Sequence, residues 1–194
     1  MFSEGSGMNF PDKKYQIIYA DPPWSYGDKM KHCGGGADSH YSTMDIQEIS
    51  NLPVNTIADD NCFLFLWGTW ALLPESLKVI ESWGFEYKTS GFVWLKQYNN
   101  GKDVFGMGSY TRGNTEFCLM GVKGKPKRIN NTVSQLVKTQ IKSHSQKPNT
   151  VRDKIIELVG DLPRIELFAR TKVHGWDVWG NDKKLESTPL ESWF

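Results

Sequence analysis

The chain has 194 residues, 39% of them apolar and 13% aromatic, and its 23 basic and 22 acidic residues leave a formal charge of +1. That length and apolar content suit one domain with a real core, and they exclude a disordered chain, which combines low hydrophobicity with high net charge. The near-zero sum also excludes a uniform polycation wrapped on nucleic acid.

In chain order, residues 1–13 read as a flexible polar lead-in. Residues 16–20 are a short β-rich run that stops at Asp21-Pro22-Pro23-Trp24. Residues 25–44, with Gly34-Gly35-Gly36 at their centre, predict a long mobile loop, and Asp45 caps a short helix to about Ser50. Residues 62–67 are continuously apolar, the mark of a strand buried on both faces. Pro74 suits the first turn of a helix with Leu73, Leu77 and Ile80 at helical spacing, ended by Gly84. Residues 87–96 and 115–122 predict strands on either side of a second Gly- and Asn-rich mobile loop, 97–114, and a further strand covers 136–142. Pro148-Asn149-Thr150 opens a helix with Val151, Ile155, Leu158 and Val159 on one face, closed by Gly160. A last strand spans 164–169, ahead of a polar turn and a loose tail over 183–194. This alternation, with several strands apolar throughout, predicts a single α/β domain built on a mostly parallel central sheet.

Cys33, Cys62 and Cys118 contain no CxxC pair, and His32, His40, His144 and His174 share no ligand spacing, so no metal site is expected. Cys62 and Cys118 lie in apolar runs and read as buried small hydrophobes. Residues 1–7 have neither the basic nor the apolar segment of a secretory leader, and the longest apolar stretch, 62–73, is too short to span a bilayer. The expectation is a cytoplasmic protein without a membrane partner.

The sharpest motif is Asp21-Pro22-Pro23-Trp24. In open α/β sheets, ligands bind just beyond the carboxyl ends of strands, and this motif follows one. The prolines stiffen the turn and remove two N–H donors, leaving a carboxylate and backbone carbonyls as acceptors beside an indole. That set suits a planar group bearing an NH2: the Asp21 carboxylate and the Pro22 carbonyl each take one N–H, and Trp24 stacks on the ring. An aromatic neighbour also suits a cationic donor such as a sulfonium. The competing reading is a turn that merely ends a strand.

With Ile18-Tyr19-Ala20 before this motif, the sequence resembles the DPPW-bearing N6-adenine methyltransferases, the family of the catalytic subunit of the messenger-RNA adenosine methyltransferase. The likeness runs on through His40-Tyr41-Ser42-Thr43-Met44, residues 63–69, 92–96 and 116–124, Ser145-Gln146-Lys147-Pro148, residues 165–170 and Trp179-Gly180-Asn181. It covers about residues 14–182 in the family's order. It implies a Rossmann-like fold dependent on S-adenosyl-L-methionine (AdoMet), with helices on both sheet faces and permuted motif order, in a small DNA-modifying member. Asp21, Pro22, Pro23 and Trp24 would then grip the target amine, with Asp21 also beside the cofactor. Lys147 would pair with the carboxylate of the AdoMet methionine part, and Arg170 and Asn181 would bind the ribose hydroxyls or lie beside the adenine. One departure is that the strand ending Phe168-Ala169-Arg170 lacks the G-x-G loop of nucleotide-binding Rossmann folds.

Tyr41 follows the Gly-rich loop as a lid over the pocket, or else packs at the start of an element. Arg112 and Glu116 flank the return of the second loop and touch the target base or its phosphate, unless they form a plain surface ion pair. Charge is segregated: residues 123–154 hold nine basic side chains and one acidic, a net +8, which leaves −7 elsewhere. Lys123, Lys125, Lys127 and Arg128 are expected next to the pocket as a phosphate-binding cluster. The partner is therefore nucleic acid, DNA favoured over RNA because no separate reader domain is visible, with a second copy or related subunit as a further partner. The competing functions are methylation of RNA, a catalytically silent nucleic-acid-binding subunit, and a protein or small-molecule amide methyltransferase. Relatives of the last kind carry Asn in place of Asp21.

Overall fold

A computed structural model describes residues 9–25, 43–106, 108, 110–142 and 146–180. Its elements are β1 (Tyr15–Ala20), α1 (Ile46–Ser50), β2 (Ala58–Gly68), α2 (Leu73–Ser82), β3 (Glu86–Gln97), β4 (Thr115–Lys123), β5 (Leu136–Gln140), α3 (Thr150–Val159), β6 (Arg164–Leu167) and β7 (Asp177–Trp179). All seven strands form one sheet in the order β5-β3-β4-β2-β1-β6-β7. Six run in one direction, and β4 alone is antiparallel to both its neighbours.

The chain leaves β1 towards β2 and β3 on one side and returns from β5 to β6 on the other. Right-handed crossovers taken in opposite directions place their helices on opposite faces. Accordingly Ile49 of α1 and Val79 and Ile80 of α2 pack with Ile18, Leu64 and Leu66. Val151, Ile155 and Val159 of α3 pack with Ile17, Phe63 and Phe65. Ile17–Ala20 of β1 and residues 62–67 of β2 are continuously apolar because both faces are covered there. Cys62 and Cys118 are buried and unpaired within these layers.

The local signals held. Asp45 and Glu48 form a reciprocal capping box on α1, with bonds of 2.7 and 2.9 Å. The chain turns at Gly84 and Gly160, both at positive φ, once α2 and α3 have ended. Five expectations need correction. Strand β5 ends at Gln140, short of residue 142, and β6 stops at Leu167 because Phe168 turns to φ +61°. The polar turn expected after β6 ends in a further strand, β7, too short for alternation to reveal. Residues 9–13 of the lead-in are tied to it: Phe10 packs on Trp179 with ring centroids 4.6 Å apart, and Lys13 pairs with Asp177. The 97–114 segment is built of paired chain, with bonds from Tyr98 N–H to the Lys102 carbonyl and from Gly106 N–H to the Gly113 carbonyl. Residues 26–42 and 181–194 lie outside the described residues.

Candidate active site at the carboxyl end of β1

Strands β2 and β6 flank β1, and the chain approaches them from opposite sides, so the crevice beyond β1 and β6 is the topological switch point of the sheet. Asp21 stands there, one residue past β1. The next residues form a tight turn in which Trp24 N–H donates to the Pro22 carbonyl at 2.9 Å, leaving that oxygen a second lone pair. The Pro23 carbonyl accepts from Met44 N–H, and Ser25 N–H donates to the Met44 carbonyl. This bridge ties the motif to the chain just before α1.

Trp24 departs from expectation. Its ring is only 6% exposed and belongs to the core on the α1–α2 face, and its indole N–H donates to the Trp67 carbonyl at 3.0 Å. It anchors the turn and offers no open face for stacking. Trp67 in turn donates its own indole N–H to the Tyr19 hydroxyl at 2.6 Å. Residues on both sides of Asp21 are thus clamped to the end of β2.

Four charged side chains alternate in sign across the crevice. Lys147 lies 2.9 Å from Asp21 and 3.3 Å from Glu116, and Glu116 also holds Lys96 at 2.5 Å. Lys147 sits over the Trp67 ring and Lys96 over the Trp94 ring, at 5.6 and 5.3 Å. Burial presses the Glu116 carboxyl up, but Lys147 and Lys96 outweigh it and hold its pKa below the ordinary 4.5. Burial likewise disfavours the Lys147 ammonium, and the Asp21 and Glu116 carboxylates overcome it and raise its pKa. Stability from Glu116 is therefore present above its unfolded 4.5 and lost as pH falls through the lowered folded value. Stability from Lys147 is present below its unfolded 10.5 and lost only as pH rises through the raised one. Glu116→Gln is expected to melt below wild type at neutral pH, with the gap closing as thermal unfolding is repeated at pH values below 4.5; a constant gap would show that the charge of Glu116 is not what stabilises.

Glu116 therefore joins the candidate site, as a largely buried member of the network that holds Asp21 and not as a surface ion pair. Lys96 was missed: it ends an apolar strand, and only the pairing of β3 with β4 brings it to Glu116. Arg112 is exposed on the connection between those strands, at the same edge. Arg170 is half-buried just past β6. Tyr41 and Asn181 lie outside the described residues.

The Lys123–Arg128 cluster is not next to Asp21. Strand β4 runs antiparallel, so its end is carried away: Phe117 pairs with Gly68 and Lys123 with Cys62, six steps and roughly 20 Å apart along the ladder. Lys123 donates to the Ala58 carbonyl at that far edge. Lys88, Lys125 and Arg128 line a cavity of about 560 Å³ there with Phe63, Phe92 and Met120. Nor is Arg152 part of a phosphate surface, because it is buried in a bidentate pair with Glu166 at 2.7 and 2.6 Å. The basic stretch is divided between two edges and the core.

The missing G-x-G loop is replaced by other means. Phe168 itself takes the positive φ, and Gly180 approaches so closely that a Cβ on it would lie 2.5 Å from the Ala169 carbonyl oxygen. Beside that turn the cation of Lys147 and the carboxylate of Asp21 stand as a donor–acceptor pair, which complements the carboxylate and ammonium of an amino-acid moiety. The residues present fit AdoMet.

A doubly wound, mostly parallel sheet with an acidic Asp-Pro-Pro turn at its switch point defines a Rossmann-like α/β methyltransferase. The chain belongs to the MT-A70 family, which matches it over residues 15–182. It is 41% identical to the Type II methyltransferase M.MunI of Mycoplasma sp, over 91% of this chain and 82% of that protein. It is 28% identical to the N(6)-adenosine-methyltransferase catalytic subunit METTL3 of Homo sapiens, over 81% of this chain. An N(6)-adenosine-methyltransferase MT-A70-like protein of Arabidopsis thaliana is 26% identical over 86% of the chain. The matched region is 26% of the human protein and 23% of the plant one. Among the described residues no helix is long and apolar enough to cross a membrane.

Proposed function

We propose that the protein transfers the methyl group of AdoMet to the N6 amine of adenine in DNA, in the cytoplasm. The observation that carries this reading is Asp21, ion-paired to the largely buried Lys147 at the switch point and followed by the Pro22 carbonyl. AdoMet, when bound, supplies an electrophilic methyl on a sulfonium. The adenine amine is a poor nucleophile because its lone pair is delocalised into the ring. Asp21 and the Pro22 carbonyl each accept one of its N–H bonds, which turns the lone pair out of the ring plane and in line with the methyl. Lys147 engages two carboxylates and keeps a third N–H for the carboxylate of the cofactor. Arg170, past β6, and Asn181 take the ribose side. The base reaches Asp21 only out of the stack, flipped or in a single strand, with Tyr41 covering it.

DNA is favoured because the match with the Type II methyltransferase M.MunI is 41% identical and spans 82% of that protein. The adenosine methyltransferases match only through about a quarter of their length. Incubation of the purified protein with labelled AdoMet and with DNA or RNA from cells lacking it, followed by mapping of methylated adenines, tests the reading. N6-methyladenine in DNA is expected at a defined sequence. Label in RNA alone would move the substrate to RNA, and absence of both label and AdoMet binding in calorimetry would make the chain a silent nucleic-acid-binding subunit.

A further inference from the structure

Five aromatic side chains are exposed among the described residues, and four of them, Trp70, Tyr98, Phe105 and Tyr110, lie beyond the carboxyl ends of the strands, on the edge that holds Asp21. Large exposed aromatics gathered on one edge mark an interaction site. Two belong to one narrow hairpin whose described limbs are residues 104–106 and 110–114. Its root is bonded to Lys96: Val104 N–H donates to the Lys96 carbonyl at 2.8 Å, and Lys96 N–H donates to the Asn114 carbonyl at 3.0 Å. The same Lys96 pairs through its ammonium with Glu116, which holds Lys147 and through it Asp21. The hairpin is therefore built onto the charged network of the site.

Its two limbs are pressed together. A Cβ on Gly106 would lie 2.1 Å from the Gly113 carbonyl oxygen, and only glycine fits that approach. Phe105, 72% exposed, stands one residue from the root, with Tyr110 fully exposed on the opposite limb and Arg112 two residues on. A hairpin carrying exposed aromatic rings and a cation has the chemistry to meet a stacked base step with its phosphate.

We propose that this hairpin opens the duplex: Phe105 enters the gap left by the target adenine and stacks on the neighbouring bases, while Tyr110 and Arg112, further along the hairpin, contact the adjoining base and the strand's phosphate. The inference rests on the reading of the protein as an adenine methyltransferase of DNA, and it adds the element that keeps the base out of the stack. Flipping leaves a space one base thick whose neighbours have lost a stacking partner, and an inserted ring restores that stacking and blocks return of the adenine.

The test compares two duplexes that carry the adenine mapped as methylated, one with thymine opposite and one with an abasic position opposite, so that in the second the target is already unpaired. Methyl transfer is measured with wild type, Phe105→Ala, Tyr110→Ala, the double variant and Phe105→Trp. Loss of kcat/KM by about 5- to 100-fold, the worth of one aromatic–base stack, is expected for Phe105→Ala on the paired duplex. Activity within about threefold of wild type is expected on the unpaired one, with Phe105→Trp restoring the paired substrate. Equal loss on both duplexes, or loss on neither, would overturn the wedge and leave the methyltransferase reading standing. The same holds if the double variant only dissociates an oligomer in sedimentation, since the aromatics would then cover a second copy. No methylation of either duplex by wild type would remove the reading and the wedge together.

Discussion

Asp21→Asn is expected to lower methyl transfer by about 10²–10³-fold while the protein stays folded, since a neutral amide oxygen replaces the charged acceptor at the reacting nitrogen. The amide keeps the volume of the carboxylate but not the charge that faces Lys147 at 2.9 Å. Glu116 still pairs with that lysine, so the cation is not stranded. Lys147→Met acts differently: it leaves the Asp21 and Glu116 carboxylates in one crevice with only Lys96 to offset them. Breaking a buried pair in this way costs about 3–5 kcal/mol, so the lysine variant is expected to lose stability as well as activity. Thermal melts beside labelled-methyl assays separate the two effects. Unchanged activity in Asp21→Asn would sink the assigned mechanism.

The second large effect concerns a pair outside the reacting centre. Arg152 of α3 and Glu166 of β6 form a buried bidentate ion pair, and the guanidinium also lies 5.5 Å from the centre of the Tyr19 ring. Burial raises the pKa of the Glu166 carboxyl even though Arg152 pulls it down, so this glutamate depends on its partner for its charge. Arg152→Met strands it, at a cost of about 3–5 kcal/mol. At about 2–4 °C per kcal/mol for a chain of this size, Tm is expected to fall by roughly 6–20 °C. Replacing both residues by Met and Leu is expected to recover most of that loss. The salt dependence of nucleic-acid binding is expected to stay as in wild type, because Arg152 is not a phosphate ligand; a shallower salt slope for Arg152→Met would contradict the assignment.

Much of the site was legible before any fold was known, because its chemistry is concentrated in contiguous residues. Asp21, Pro22 and the strand before them announce a stiff acceptor turn, and Lys147 stands in a segment that opens a helix. Trp24 was misjudged for a physical reason: an indole suits stacking on a ligand and filling a core equally well, and only its bond to the Trp67 carbonyl and its burial separate the two. Glu116 was placed near the substrate, but its actual neighbours come from β3 and from the turn before α3. Lys96 gave no signal of its own.

The charge pattern shows most plainly where sequence ends and tertiary structure begins. Length, apolar runs, caps and the Asp-Pro-Pro turn determined an α/β domain with a candidate ligand site after its first strand, since these depend on short-range sterics and on the need to bury apolar faces. The near-neutral total and the +8 stretch were also plain, but not where those cations stand. One antiparallel strand, β4, carries Lys123–Arg128 to the far edge of the sheet, the β5–α3–β6 crossover folds Arg152 inward onto Glu166, and the turn before α3 sets Lys147 between two carboxylates. Strand direction and crossover side are long-range properties of the chain, and they alone decided which charges meet.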